Sequence, residues 1–366
     1  MEIIHLILGK ANPDRMNGVN KVVYQLATNQ AKRNLKVEVW GITKDLTHNY
    51  EDRVFNTQLF KKQHNPFKLS ELLKLALIKK SGKAVVHLHG GWIPVYATLA
   101  KFLSKHDIPF VITPHGAYNT VAMNKSKWIK KAYYQLFEKS VLKNAKAIHA
   151  IGKSEIDGLA GLGNYSNTFL SPYGFEIESI KPVMPNNEKF VIGFVGRITA
   201  YTKGLDIIID SFKNVLQKNA RAELWIVGEG DDLNSLKSKV QGEGISGVKF
   251  FGAKYGEEKN AIIRKMNVFV HASRNEGMPS AVIEAASFAV PVIVSPETNI
   301  AELVEKYKAG IALNENTVEE LTSAFLEAIS SSTEDLYLQG LCALKMIKEA
   351  FNWTQIVRSM NDLYAK

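Results

Sequence analysis

Two doubly wound α/β domains are the fold class this sequence predicts, and three observations predict it. Short β-rich runs alternate with helical patterns along the whole chain. That rhythm pauses once, near residues 175–189, and then restarts. A chain of 366 residues with 46% hydrophobic composition is also longer than a typical single core.

Taken in order, the first-half strands are "EIIHLIL", "KVEVWGI", "AVVHLH", "PFVITPH" and "AKAIHAI", with helical segments such as "GVNKVVYQLATNQAKR" between them. After the "KPVMPNNEK" linker come "FVIGFVG", "AELWIVG", "VKFFG", "NVFVHAS" and "VPVIVS". Near-continuous apolar strands separated by helices predict parallel sheets covered on both faces. Ligands of such sheets bind beyond the carboxyl ends of the strands, so the predicted site lies in a cleft between two facing domains.

Composition narrows the function classes. The single cysteine, Cys342, excludes an intramolecular disulfide framework and fits a reducing compartment. The start "MEIIHLILGK" lacks the basic opening and long apolar run of a signal peptide, and "GGWIPVYATLA" is too short to span a membrane. The expectation is a cytoplasmic protein, soluble or peripheral.

The net charge of +10 is uneven: residues 1–180 carry 25 Lys+Arg against 13 Asp+Glu, whereas the remainder carries 21 against 23. Much of the excess lies in 59–83 and 124–146. In the latter, Ile129, Ala132, Tyr133, Leu136 and Phe137 recur at helical spacing, with Lys127, Lys130 and Lys131 largely off that stripe. This reads as a basic amphipathic helix, either a solvated face or a surface for an anionic partner such as membrane phospholipid or a phosphate-bearing substrate. No zinc spacing or RNP-like aromatic motif accompanies the charge, so nucleic acid is not expected.

The stretch "ASRNEGMPSAVIEAA" reads as strand end, turn and helix start, with Glu276 in the turn and Glu284 about a turn inside the helix. Free N–H groups around Ser280 and Ala281 suit an anion such as a diphosphate. Carboxylates beside a phosphate site suit sugar hydroxyls: Glu284 a ribose, Glu276 a second sugar. Spacing alone leaves open that Glu276 is an exposed turn residue and that Glu284 pairs on its helix. In "FVGRITAYTKG", Arg197 ends a strand and Lys203 precedes a helix, where both could clamp the diphosphate.

With these pieces in order, the chain resembles the retaining glycosyltransferases of family 4 (GT4), which have the GT-B fold of two facing Rossmann-like domains. The resemblance rests on "FVGRITAYTKG", "LWIVGEGD", "VKFFGAK", "EGMPSAVIEA" and "VPVIVSP", across about 189–305. "NGVNKVVYQLA", "HLHG", "TPHGAY", "AIHAIGKSE" and "SPYGFE" extend it into the first half.

The resemblance implies an acceptor-side domain at 1–175, a nucleotide-sugar domain at 176–350 and a C-terminal helix at 351–366 packing back toward the first. It implies that Gly18, Arg197, Lys203, Ser280 and Ala281 hold the donor diphosphate, Glu284 the ribose, and Glu276, Gly277 and Met278 the transferred sugar. His115 and Glu276 are the implied catalytic residues. Asn17 stands where the family usually has glycine, so the phosphate contact at Gly18 is less secured. The implied donor is a UDP- or GDP-sugar and the acceptor a glycan or polyprenyl-diphosphate-linked glycan, in bacterial surface polysaccharide synthesis. Backbone near Lys254 and Tyr255 would read the base. No Asp-x-Asp occurs, so no metal cofactor is expected. Retention is expected by a front-side route, the leaving phosphate accepting the incoming proton.

Three other readings compete. His87, His89, His115 and His149 cluster near strand ends, as in a metal hydrolase, but no carboxylate occurs between Glu71 and Asp107 or between Asp107 and Glu138. A nucleotide-sugar epimerase or hydrolase of the same fold would use the same diphosphate site. A non-catalytic glycan-binding module would not need both glutamates and both cations.

Overall fold

The computed structural model describes residues 1–12, 18–48, 50, 52–124, 126–176, 188–218 and 221–365. Asn17 and most of the 181–189 linker lie outside them. The chain forms two α/β units, Met1–Gly174 with Trp353–Lys366, and Phe175–Asn352.

The first unit contains strands β1 (Glu2–Leu8), β2 (Val37–Thr43), β3 (Asn56–Lys61), β4 (Ala84–His89), β5 (Phe110–Thr113), β6 (Ala147–Ala150) and β7 (Thr168–Leu170) in the order 3-2-1-4-5-6-7. Every pairing is parallel. Alternate strand residues feed opposite faces. Ile4, Leu6, Trp40, Val86, Leu88 and Ile112 pack on one. Ile3, Ile7, Val39, Val85 and Val111 pack on the other, with Trp353, Met360 and Tyr364 of the final helix Trp353–Ala365.

The second unit holds β8 (Phe190–Val195), β9 (Ala222–Val227), β10 (Val248–Phe250), β11 (Val268–His271), β12 (Val292–Val294) and β13 (Gly310–Ala312), ordered 10-9-8-11-12-13 and likewise parallel. The ten expected strands all form. The three unexpected ones, β3, β7 and β13, are edge strands. Edge strands are covered less completely, so their apolar signal is weaker.

One expectation needs correction. The 124–146 segment is not one helix with a buried stripe at Ile129, Ala132, Tyr133, Leu136 and Phe137. Helix Lys127–Tyr133 passes through a π-helical turn, Tyr134–Glu138, into helix Lys139–Asn144. The wider turn shifts the register. Tyr134, Glu138, Val141 and Leu142 are buried, and of the expected stripe only Tyr133 and Phe137 are half-buried, with Phe137 packed against the core, while Ile129 is 73% and Leu136 68% exposed. Among the described residues, no helix is long and apolar enough to cross a membrane.

Candidate active site

In the second unit, two neighbouring strands, β8 and β11, end in loops that are bolted together. The short helix Ala200–Lys203 stops at Gly204, whose φ is +65°. A Cβ there would lie 1.8 Å from the Ala272 carbonyl oxygen, so only glycine permits this approach. The Thr202 carbonyl accepts from Arg274 N at 2.9 Å and from Ser273 Oγ at 2.8 Å. The Arg274 guanidinium forks onto both Asp206 oxygens, at 2.8 and 2.9 Å.

That clamp presents Glu276. Its carboxylate accepts from Lys203 Nζ and, at 2.9 Å, from His271 Nε2. Asn299 Nδ2 holds the turn by donating to the Glu276 carbonyl at 2.6 Å and the Gly277 carbonyl at 3.0 Å. Glu276 is therefore no loose turn residue; its side chain is 15% exposed. Burial alone would raise its pKa, but the His271 hydrogen bond and the Lys203 charge outweigh it and hold the carboxyl at about 2. His271 is itself buried, which lowers its pKa against the pull of Glu276.

The helix Ser280–Ser287 follows directly. Its first intrahelical donor, Val282 N, bonds the Pro279 carbonyl at 3.0 Å, so Ser280 and Ala281 N–H precede the ladder. Ser280 is exposed, and Gly277, Met278 and Ala281 are half-buried. Glu284 is half-buried a turn further on and pairs with Lys259 at 2.5 Å. Arg197 is exposed at the end of β8 and forms no ion pair among the described residues. Lys254 pairs with Glu258, and Tyr255 is 63% exposed.

The first unit builds a different kind of site. His115 follows β5 with φ +57° and is half-buried. Its Nε2 lies 3.0 Å from His89 Nδ1, and Tyr173 Oη stands 2.8 Å from its Nδ1 and 3.4 Å from its Nε2. Glu155 anchors the loop, accepting from Gly116 N at 2.5 Å and from Ile151 N at 3.0 Å. Burial raises the Glu155 carboxyl to about 7, against the lowering effect of those N–H groups. Gly18 is exposed where the helix Gly18–Ala31 starts, with open space where a Cβ would stand.

His5, His87 and His89 bring ring nitrogens within 4.8 Å of one another. Each of those nitrogens already has a hydrogen-bond partner, so imidazole hydrogen bonding accounts for the cluster. Sequence reasoning missed His271, Lys259, Tyr173 and Glu155. His271 is the last residue of a strand that was recognised, so its position was available; Lys259 meets Glu284 across 25 residues and left no local signal.

Two parallel-sheet α/β units, with an anion-suited helix start and flanking carboxylates at strand ends in the second, define the GT-B class. The chain belongs to the glycosyltransferases of family 4 type. "Glycosyl transferases group 1" matches residues 176–339 and "Glycosyltransferase Family 4" matches residues 16–168. An O-antigen chain mannosyltransferase of Escherichia coli is 24% identical over 100% of this chain and 98% of its own length. An uncharacterised glycosyltransferase of Methanocaldococcus jannaschii is 27% identical, over 64% of this chain and 62% of that protein. The structure of Anabaena HepE in complex with UDP shares the fold, with a TM-score of 0.77 at 16% identity and 99% coverage of both chains.

Proposed function

We propose that this glycosyltransferase takes a hexosyl unit from a UDP- or GDP-sugar and passes it, with retention, to a glycan or polyprenyl-diphosphate-linked acceptor in bacterial surface polysaccharide synthesis. The observation that carries the reading is the Lys203–Glu276–His271 group beside the start of helix Ser280–Ser287. A diphosphate on the Ser280 and Ala281 N–H groups competes with Glu276 for Lys203 and joins Arg197. Glu276, ionised and released, then faces the transferred sugar with Gly277 and Met278. Glu284 exchanges Lys259 for the ribose hydroxyls, and His115 contacts the sugar.

Fixed cations and the helix start stabilise the leaving diphosphate, so no metal is needed. The O-antigen mannosyltransferase supports the surface-polysaccharide setting, and the UDP complex of HepE supports a nucleotide donor. Exposed Trp128, Ile129 and Leu136 beside Lys127 and Lys131 support docking on the anionic inner face of the cell membrane.

A thermal-shift screen of UDP-, GDP- and ADP-sugars, followed by nucleotide release with and without lipid-linked glycan acceptors in EDTA, tests this. Acceptor-dependent release in EDTA is expected. Full turnover without acceptor favours the hydrolase or epimerase, and activity only after metal addition overturns the metal-free mechanism.

A further inference from the structure

Five of the nine histidines are joined in one hydrogen-bonded chain inside the first unit, and the fold lines them up. His5, His87 and His89 lie on the sheet face that also carries Ile3, Ile7, Val85 and Val111, with His5 level with His87 across β1 and β4. Gln30 and Tyr364 reach the same face from the helices Gly18–Ala31 and Trp353–Ala365.

The direction of every bond follows from one end. The Ser171 carbonyl can only accept, so His149 Nε2–H donates to it at 2.8 Å. Burial disfavours an imidazolium, so His149 Nδ1 is bare and accepts from the Thr113 hydroxyl at 2.8 Å. The Thr113 oxygen then accepts from His87 Nε2–H at 2.6 Å, and His87 Nδ1 accepts from Tyr364 Oη at 2.7 Å. Tyr364 Oη has spent its proton and accepts the Gln30 amide, at 3.5 Å. This turns Gln30 Oε1 toward His5 Nε2–H, at 2.6 Å. His5 Nδ1 accepts from His89 Nε2–H at 2.9 Å, and His89 Nδ1 accepts from His115 Nε2–H at 3.0 Å. No bond in the chain is frustrated, and all five imidazoles are neutral.

We propose that His89 and His5 are positioning residues that hold His115 as the Nε2–H tautomer, leaving Nδ1 bare to accept a hydrogen bond from a hydroxyl of the bound sugar. The Tyr173 hydroxyl stands over this edge of the ring, 2.8 Å from Nδ1 and 3.4 Å from Nε2, so it leans toward the bare nitrogen. A sugar hydroxyl replaces it there. The tautomer lock stands on the geometry; its use on a sugar rests on the function proposed above.

Histidine-labelled protein without ligand tests the lock by long-range proton–nitrogen correlation, with His115 assigned from His115→Gln. Wild type should show Nε2 protonated and Nδ1 bare. His89→Leu removes the acceptor and should give mixed tautomers, whereas His89→Gln should restore the wild-type form, since its amide accepts from His115 and donates to His5. His5→Leu, one step further away, should loosen the preference in the same sense and serves if His89→Leu does not fold. An unchanged His115 tautomer in the leucine variants overturns the lock.

Turnover of the sugar nucleotide identified in the donor screen then tests its use. kcat should fall on the order of tenfold in His89→Leu and recover in His89→Gln. Normal kcat with a scrambled tautomer overturns the positioning role. If no sugar nucleotide is turned over, the functional reading fails while the spectra still decide the lock.

Discussion

The two units solve the same problem, polar groups at the ends of a buried parallel sheet, in opposite ways. The first unit uses neutral dipoles passed from ring to ring, each donor matched to an acceptor. The second uses opposed full charges, Lys203 on Glu276, Lys259 on Glu284 and Arg274 on Asp206. Neutral chains fix direction but tolerate no added proton. Charge pairs can exchange partners when a ligand brings charge of its own.

Acid should separate them most strongly. Burial lowers His5 and His149 to about 4, His115 to about 3, and His87 and His89 well below their ordinary value. A folded pKa below the unfolded value of about 6.5 means stability present above that pH and lost as pH falls. Each such histidine removes about 1.4 kcal/mol per pH unit below 6.5. Glu155, raised to about 7 by burial, and Glu138, raised by burial as well, work in the opposite sense, losing stability as pH rises from the unfolded value through the folded one. They are outnumbered by the five histidines. Hydrogen exchange between pH 7 and 4.5 should therefore show β1 and β4 opening before β8 and β11, where a single buried histidine, His271, is lowered in the same sense and its partner Glu276 stays ionised down to about 2. Opening of the second unit first would break the contrast.

Next in size is Glu276→Ala. Loss of a group aimed at developing positive charge should lower kcat about 10²- to 10³-fold. Affinity for the free nucleoside diphosphate should hold or rise, because Lys203 loses its competing carboxylate. Isothermal titration with UDP and GDP beside steady-state kinetics reads both; weaker binding with unchanged kcat would mean that the pair is structural.

Lys203→Ala and Arg197→Ala should each weaken the nucleoside diphosphate by about 1.5–3 kcal/mol. Glu284→Ala should weaken donor and free diphosphate alike, since a ribose contact is uniform binding. Equal kcat effects for Glu276→Ala and Glu284→Ala, measured on the same donor, would remove the distinction between the two glutamates.

Much of this was legible in the sequence, for physical reasons that differ by residue. Central strands such as β4 and β8 are buried almost end to end and mostly apolar because both faces are covered, with His87 and His89 the polar exceptions on β4, whereas β3 alternates and carries polar residues at an edge. Glu276 and Glu284 were visible because strand, turn and helix start are contiguous in sequence. The pairings that tune them were not: Lys203 stood out as a cation for the diphosphate, but its contact with Glu276 spans 73 residues. The histidine chain was half legible: His87, His89, His115 and His149 stood out as a cluster, but their pairing depends on strand register and on Tyr364, 277 residues from His87. Periodicity misread the 124–146 stripe because a π-helical turn leaves no simple apolar period.

The smallest expected effects lie on that stripe, and they sharpen the contrast in charge between the units. Lys127 and Lys131 are exposed, but Lys130 is half-buried, donates to the Ala122 carbonyl and stands over the Trp92 ring at 5.7 Å. A lysine held by its own fold contributes less to a distant surface. Lys127→Gln and Lys131→Gln should each weaken binding to phosphatidylglycerol vesicles by about 1 kcal/mol at low salt, with little difference at high salt. Lys130→Gln should weaken it less. Ile129→Ser and Leu136→Ser remove exposed apolar surface, so their losses should persist at high salt, where screening cannot reach them. Sedimentation with anionic and with neutral vesicles distinguishes the cases. If the three lysines behave alike and the two serine variants bind as wild type, the surface acts by diffuse charge alone and the exposed apolar residues have no part in it.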